Sequence, residues 1–84
     1  MQTGFKIEIF SQKNCAACEQ VKQLFNRRGL VYQELLIDSV LGSNRQELFK
    51  RLPTVRSVPQ VFINNKHIGG LEQVIVELST NDYY

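Results

Sequence analysis

The change of apolar period between residues 5 and 25 constrains this chain more than any other feature. Phe5 to Phe10 (FKIEIF) alternates apolar and polar side chains and stops at Ser11, the pattern of a β-strand. From Ala16 the apolar positions Cys18, Val21, Leu24 and Phe25 recur at three- and four-residue steps, which is helical spacing. Arg27, Arg28 and Gly29 then supply the positive last turn and the stop that a helix end favours. Leu30 to Ile37 (LVYQELLI) has the β-branched and aromatic content of a second strand and follows after only a short turn at Gly29. Strand, helix and strand in so short a space predict a parallel crossover.

Beyond this unit, Ser43 followed three residues later by Gln46 has the form of a capping box. Leu48, Phe49 and Leu52 make the apolar face of a brief second helix that Pro53 ends. Gln60 to Ile63 (QVFI) and His67-Ile68 are two short strands joined by Asn64-Asn65-Lys66, residues suited to the positive φ of a tight hairpin, so they should pair antiparallel. Leu71, Val74, Ile75 and Leu78 fall at i, i+3, i+4 and i+7 after Gly69-Gly70 and predict a third helix. Ser79 to Tyr84 is expected to fray. The expected order is therefore βαβα followed by ββα.

Eighty-four residues, 43% of them hydrophobic, make one small domain, residues 1–84, near the size at which a single core gives modest stability. The opening MQTGFKIEIFSQKN lacks the basic start and long apolar run of a secretory signal, and no apolar run approaches the length of about 18 residues that a membrane span needs. A cytoplasmic protein without membrane contact is expected. A net charge of +2 with interleaved signs is too mild to imply nucleic acid. The small clusters Arg27-Arg28 and Lys50-Arg51 fit solvated helix ends.

Both cysteines of the chain, Cys15 and Cys18, lie where the strand pattern gives way to the helical one. Three roles compete for them: a structural staple, half of a metal site, and a reactive dithiol. Two cysteines cannot build the multi-bridge framework of a small secreted scaffold, and a reducing cytosol keeps ordinary pairs as thiols. A structural zinc site takes about four protein ligands, and beyond the pair only His67 is a soft ligand. His67 is read as an edge-strand residue beside the hairpin turn. Two inert buried cysteines fit less well with Lys13 and Asn14 alongside the first of them.

The dithiol reading has a direct physical basis. A cysteine at a helix start is stabilised as thiolate by unpaired backbone N–H groups and by the positive end of the helix. Cys15 is placed there, and Lys13 adds a positive charge just upstream. Cys18, one turn on along the same face, is within reach of a disulfide that opens and closes with little backbone movement. One cysteine is exposed for attack and the other sheltered.

With a first strand running into C-x-x-C, then SVPQVFINNKHIGG from Ser57 to Gly70, the chain resembles the glutaredoxins of the thioredoxin-fold family over nearly its whole length. The HIGGLEQ segment is similar to that of virus-encoded members. The resemblance implies a four-stranded mixed sheet, order 2-1-3-4, with the first and third helices on one face and the second on the other. It also implies a dithiol–disulfide exchange in which Cys15 attacks substrate disulfides and Cys18 resolves the mixed disulfide. Glutathione would serve as electron donor and co-substrate, with no metal or organic cofactor. Protein disulfides such as that of ribonucleotide reductase, and glutathionylated proteins, are the implied substrates, and a monomer the expected state.

For the glutathione groove the resemblance implies that Pro59 is cis and that Val58 meets the cysteinyl unit through its N–H and C=O. Gly70, Leu71 and Glu72 would hold the γ-glutamyl end, where glycine permits close approach and a helix start binds a carboxylate. Lys13, Gln46 and Arg56 would meet the glycyl carboxylate. This sequence departs from the family pattern in having Ala16-Ala17 between the cysteines, where Pro and an aromatic residue are usual. It also has Leu71-Glu72 after the Gly-Gly pair, where Cys or Ser and then Asp are frequent. Two further roles fit the same residues: a redoxin reduced by a thioredoxin reductase, and a module in which Cys15 of two chains, with two glutathiones, holds an iron–sulfur cluster.

Overall fold

The computed structural model describes residues 5–81. Its elements follow the expected order: β1 (Ile7–Ser11), α1 (Ala16–Arg27), β2 (Gln33–Leu36), α2 (Ser43–Arg51), β3 (Gln60–Ile63), β4 (Lys66–Gly69) and α3 (Leu71–Thr80). The four strands form one sheet in the order β2-β1-β3-β4. The β1–β2 pair is parallel, and the β1–β3 and β3–β4 pairs are antiparallel.

Alternation along the central strands divides the core into two layers. Ile7 and Ile9 of β1 and Val61 and Ile63 of β3 pack with Val21 and Phe25 of α1 and Val74 and Leu78 of α3. Phe10 and Phe62 point to the opposite face and pack with Leu48 of α2. Helices α1 and α3 thus cover one face and α2 the other, as the resemblance implies.

Several boundaries differ from the sequence reading for identifiable reasons. Strand β1 extends to Ser11, which pairs with Leu36. The second strand is shorter than Leu30 to Ile37, because Leu30 and Tyr32 serve as packing residues of the connector. Helix α1 ends as expected: Gly29 has φ +70, and the N–H groups of Gly29 and Leu30 donate to the carbonyls of Asn26 and Phe25. The hairpin turn is Asn64-Asn65 alone, with φ values of 52 and 67, while Lys66 already pairs with Ile63. Ser79 and Thr80 are helical rather than frayed, with hydroxyls donating to the carbonyls of Ile75 and Val76. Residues 82–84 of the expected tail lie outside the described residues.

The capping box at Ser43 does not form. The residue at the helix boundary is Gly42, in a left-handed conformation with φ +72 that has no side-chain cap, so Ser43 is the first helical residue. The Gln46 N–H donates to the Gly42 carbonyl, and the Gln46 side chain is exposed. The entry to α2 is tied down instead by Asn44, which donates to the Leu36 carbonyl, and by Arg45, which donates to that of Ile37.

The charge cluster at the end of α2 also differs from expectation. Lys50 is exposed, but the Arg51 guanidinium makes a two-pronged ion pair with Glu8, at 2.9 and 3.2 Å, and a third hydrogen bond to Glu47 at 2.7 Å. Glu8 is only 4% exposed. The guanidinium also lies 4.9 Å from the centre of the Phe62 ring and 5.4 Å from that of Phe10. Hydrogen bonds from Arg51 to Glu8 and then Glu47 hold the guanidinium above its usual range. Among the described residues, no helix is long and apolar enough to cross a membrane.

Candidate active site

Strand directions bring four segments to one end of the sheet. Phe10 pairs with Gln60, so the end of β1 that leads to Cys15 adjoins the start of β3, just after Val58-Pro59. Val61 pairs with Gly69, so β4 delivers Gly69-Gly70 to the same end. Parallel pairing sets Leu36, and with it Asp38, beside Ser11. The Val58–Pro59 bond is cis, as the resemblance implies.

Cys15 is the boundary residue of α1, in an extended conformation, and its carbonyl accepts the Glu19 N–H that opens the helix. Its Sγ accepts the Cys18 N–H at 3.2 Å, taking the place that a serine or aspartate oxygen fills in an ordinary cap. Cys15 and Cys18 are joined by a disulfide, with Cα atoms 5.2 Å apart. Cys15 is half-buried whereas Cys18 has no exposed surface. Incoming reagents meet Cys15 first. A backbone N–H aimed at a sulfur in this way favours negative charge on it.

The other expected site residues are distributed as follows. Pro59 is buried and Val58 half-buried. A Cβ on Gly70 would stand 3.4 Å from the Pro59 carbonyl oxygen, an ordinary contact distance that places the β4–α3 junction against the start of β3. Gly69 has φ +124, and a Cβ there would come within 2.9 Å of Gln73 Cγ. Leu71 and Glu72 form the start of α3, half-buried and exposed respectively. Lys13, Gln46 and Arg56 are exposed on three separate segments. The Arg56 guanidinium donates to the Pro53 carbonyl and stacks 5.1 Å from the Phe49 ring centre.

Three contributors were not singled out in the sequence. Gln73 turns back so that its Oε1 accepts the Gly70 N–H at 3.0 Å; a Gln at the third helical position was the available signal. The Asp38 carboxylate accepts the Lys13 N–H at 3.1 Å and anchors the loop before Cys15. Glu34 accepts from the fully buried Ser11 hydroxyl at 2.6 Å and from Lys22, one turn beyond Cys18, at 2.9 Å, while Lys22 also pairs with Glu19 at 2.7 Å. His67 is a structural residue of the edge strand. The Gln60 amide donates to the Ser57 carbonyl, so its oxygen accepts from His67 Nε2 at 2.8 Å, which places a proton on that nitrogen. Among the described residues, no group of three or more His, Cys, Asp or Glu is placed to hold a metal ion.

The clasp beside the cysteines gives a pH expectation. Hydrogen bonds from Ser11 and then Lys22 lower the Glu34 carboxyl below its ordinary value of 4.5. A carboxyl depressed in the folded state contributes stability that is complete above its unfolded value and is lost as pH falls through the lowered one. Urea unfolding midpoints should therefore drop below pH 4.5. Ser11→Ala should shrink that acid loss, and an acid limb identical in wild type and Ser11→Ala would contradict the assignment.

Comparison with known proteins agrees with this geometry. The glutaredoxin family model matches residues 7–68. A probable glutaredoxin of Synechocystis sp. is 37% identical over 76 residues, covering 88% of this chain and 83% of its own length. Glutaredoxin 3 of Escherichia coli is 37% identical over 68 residues, covering 81% and 80%. Among solved structures, the buckwheat glutaredoxin–glutathione complex superimposes with a TM-score of 0.76 at 33% identity, over 90% of this chain and 70% of that one. Glutaredoxin 1 of Francisella tularensis, at 23% identity and a TM-score of 0.75 over 92% and 95%, shares the fold. With its Cys-Ala-Ala-Cys pair at the start of α1, the chain belongs to the glutaredoxin family and is a dithiol-type disulfide oxidoreductase.

Proposed function

We propose that glutathione supplies the electrons for this exchange, that Cys15 is the attacking sulfur and that Cys18 is the resolving one. The observation that carries the assignment is the Cys18 N–H aimed at Cys15 Sγ, with Cys18 itself fully buried. The Cys15 thiolate attacks one sulfur of a substrate disulfide, forming a mixed disulfide and expelling the other sulfur as a thiolate that takes up a proton. Cys18 loses its proton and attacks Cys15 Sγ, which releases the second substrate thiol and leaves the Cys15–Cys18 bond. One glutathione thiolate then opens that bond to give a Cys15–glutathione disulfide and a Cys18 thiol. A second glutathione attacks the bound glutathione sulfur and leaves as oxidised glutathione, returning the dithiol.

Within this reading Val58 and Pro59 line the groove and offer backbone pairing to the cysteinyl unit. Gly70, Leu71 and Glu72 hold the γ-glutamyl end: the first N–H groups of α3 have no carbonyl partner within the helix, a natural seat for a carboxylate. Lys13, Gln46 and Arg56 take the glycyl carboxylate. Gln46 suits that role better than the sequence implied, because its side chain is not spent on a cap. The buckwheat relative's complex with glutathione supports the ligand. Residues 1–84 act as one monomeric cytoplasmic domain, without metal or organic cofactor, on protein disulfides that include ribonucleotide reductase.

The test is turnover of 2-hydroxyethyl disulfide in the presence of glutathione, glutathione reductase and NADPH. Steady NADPH oxidation that depends on the chain is expected. Silence in that assay, with turnover when thioredoxin reductase replaces both glutathione components, would make the chain a reductase-served redoxin.

A further inference from the structure

Gln60, the first residue of β3, places a polar side chain in the interior, with only 7% of the residue exposed. It lies on the same side of the sheet as Phe62, because alternate residues of a strand share a face, and Phe62 packs in the α2 layer with Phe10 and Leu48. A buried amide needs its hydrogen bonds met within the protein, and this one divides them between two segments. Its Nε2 donates to the Ser57 carbonyl at 3.1 Å and lies 3.4 Å from the Ser57 hydroxyl oxygen. Its Oε1 accepts from His67 Nε2 at 2.8 Å. The amide thus ties the edge strand β4 to the segment that leads into Pro59.

The His67 end fixes which way round the amide sits. The imidazole ring is itself placed 5.2 Å from the ring of the buried Phe62. An imidazole N–H at Oε1 leaves the two amide hydrogens on the other side, where Ser57 supplies a carbonyl and a hydroxyl.

The Ser57 end governs Val58. The Ser57 carbonyl and the Val58 N–H belong to one trans peptide, so they point in opposite directions. Pinning the oxygen to a buried amide turns the N–H away from it. A carbonyl that accepts a hydrogen bond also makes the N–H of its own peptide a stronger donor. Among the described residues this N–H has no hydrogen-bond partner of its own. The Val58 side chain packs against the cluster of Phe10, Leu48 and Phe62, so the residue is held both by its side chain and by the carbonyl before it.

We propose that Gln60, braced by His67, is a positioning residue for glutathione: through the Ser57 carbonyl it aims the Val58 N–H at the carbonyl of the cysteinyl unit. The inference rests on the glutathione groove at Val58 and adds to it two residues that act through Val58 rather than on the sulfurs. Such a contact is made alike before and during sulfur exchange, so its loss belongs in KM and not in kcat.

The test is turnover of a peptide that carries a glutathione mixed disulfide, by the full chain with glutathione, glutathione reductase and NADPH. The Cys15 thiolate takes the glutathione, and the peptide leaves as a thiolate that takes up a proton. A second glutathione removes the first as oxidised glutathione, which the reductase returns to thiol with electrons from NADPH. Each kcat/KM is divided by the rate constant for single-turnover reduction of 2-hydroxyethyl disulfide by the dithiol protein without glutathione, a substrate with no peptide group for Val58 to meet. There two electrons pass from the Cys15–Cys18 pair to the small disulfide, whose two sulfurs take up protons. Gln60→Met keeps an unbranched side chain without the amide, and its ratio should fall about three- to tenfold, the worth of one hydrogen bond, through a higher KM. His67→Phe, at an exposed position of the edge strand, keeps a ring beside Phe62 and removes the N–H; its ratio should fall at least about twofold.

A wild-type ratio in either folded variant would overturn the inference and leave the groove standing, as would a fall carried by kcat at unchanged KM. Equal slowing with both substrates leaves the ratio at its wild-type value and so overturns it too, assigning Gln60 to the support of Cys15 as a whole. A wild type that reduces 2-hydroxyethyl disulfide but does not turn over the glutathionylated peptide would refute glutathione as the ligand, and the positioning role with it.

Discussion

Cys15→Ser should reduce disulfide exchange to the uncatalysed background with every substrate, whereas Cys18→Ser should lose protein-disulfide reduction and keep the removal of glutathione from mixed disulfides. The asymmetry follows from position. Of the two cysteines, Cys15 is the one at the helix start and the one with exposed surface, and a serine hydroxyl is a far weaker nucleophile than a thiolate. Without Cys18, a glutathione carried on Cys15 can still be taken by a second glutathione, because that step never uses the buried thiol. A protein disulfide is different: the mixed disulfide formed on Cys15 needs Cys18 to release it quickly. Assays of both reactions for both variants check this. Complete loss of the glutathione reaction in Cys18→Ser would mean that Val58, Gly70, Leu71 and Glu72 do not form the proposed groove.

Arg51→Met should be strongly destabilising, with an expected loss of about 3–5 kcal/mol of folding stability. Methionine keeps much of the side-chain volume over Phe10 and Phe62 but leaves the Glu8 carboxylate, with a side chain 6% exposed, without its guanidinium. Lys6, at 4.0 Å from Glu8 Oε2 and largely exposed, replaces little of it. Domains of this size are stable by only about 5–15 kcal/mol, so the single variant should lose a large share of its stability. The double variant Glu8→Leu/Arg51→Met removes both charges and should recover most of the loss, since a buried ion pair exchanged for apolar side chains is often close to neutral. Urea unfolding of the three proteins decides. A double variant no better than Arg51→Met would show that the arginine acts through packing and not through Glu8.

Glu8 and Arg51 also show where the sequence stops being informative. Strands, helices and their order were legible because apolar period is a local signal, and α1 could be placed to its glycine stop. The ion pair joins residues 43 apart in sequence, one on the polar beat of a strand and the other in a charge cluster resembling an ordinary helix end. Glu8 reads as a solvent-facing position until it is known that β1 is central and α2 covers that face. Gly42 illustrates a second limit: the Ser43–Gln46 spacing fits a capping box, but the path of the preceding loop demands a positive φ and moves the boundary back by one residue. At the site, the cysteine pair and Gly69-Gly70 were visible as short motifs. Asp38 and Glu34 were not, because a single polar residue acquires its partner only when the chain is folded; Gln73 carried a signal only in its place at the third position of α3. Val40 and Leu41 are apolar in sequence yet are among the most exposed large apolar side chains of the described residues.

The central claim is that Cys15 carries the substrate sulfur and Cys18 only releases it. The measurement that tests it most directly is mass spectrometry of Cys18→Ser after incubation with oxidised glutathione, with peptide mapping of the modified residue. A single glutathione attached at Cys15, removable by reduced glutathione, is the predicted result. An unmodified Cys15 in Cys18→Ser, together with a glutathione adduct on Cys18 in the matching Cys15→Ser protein, would reverse the roles and contradict the account.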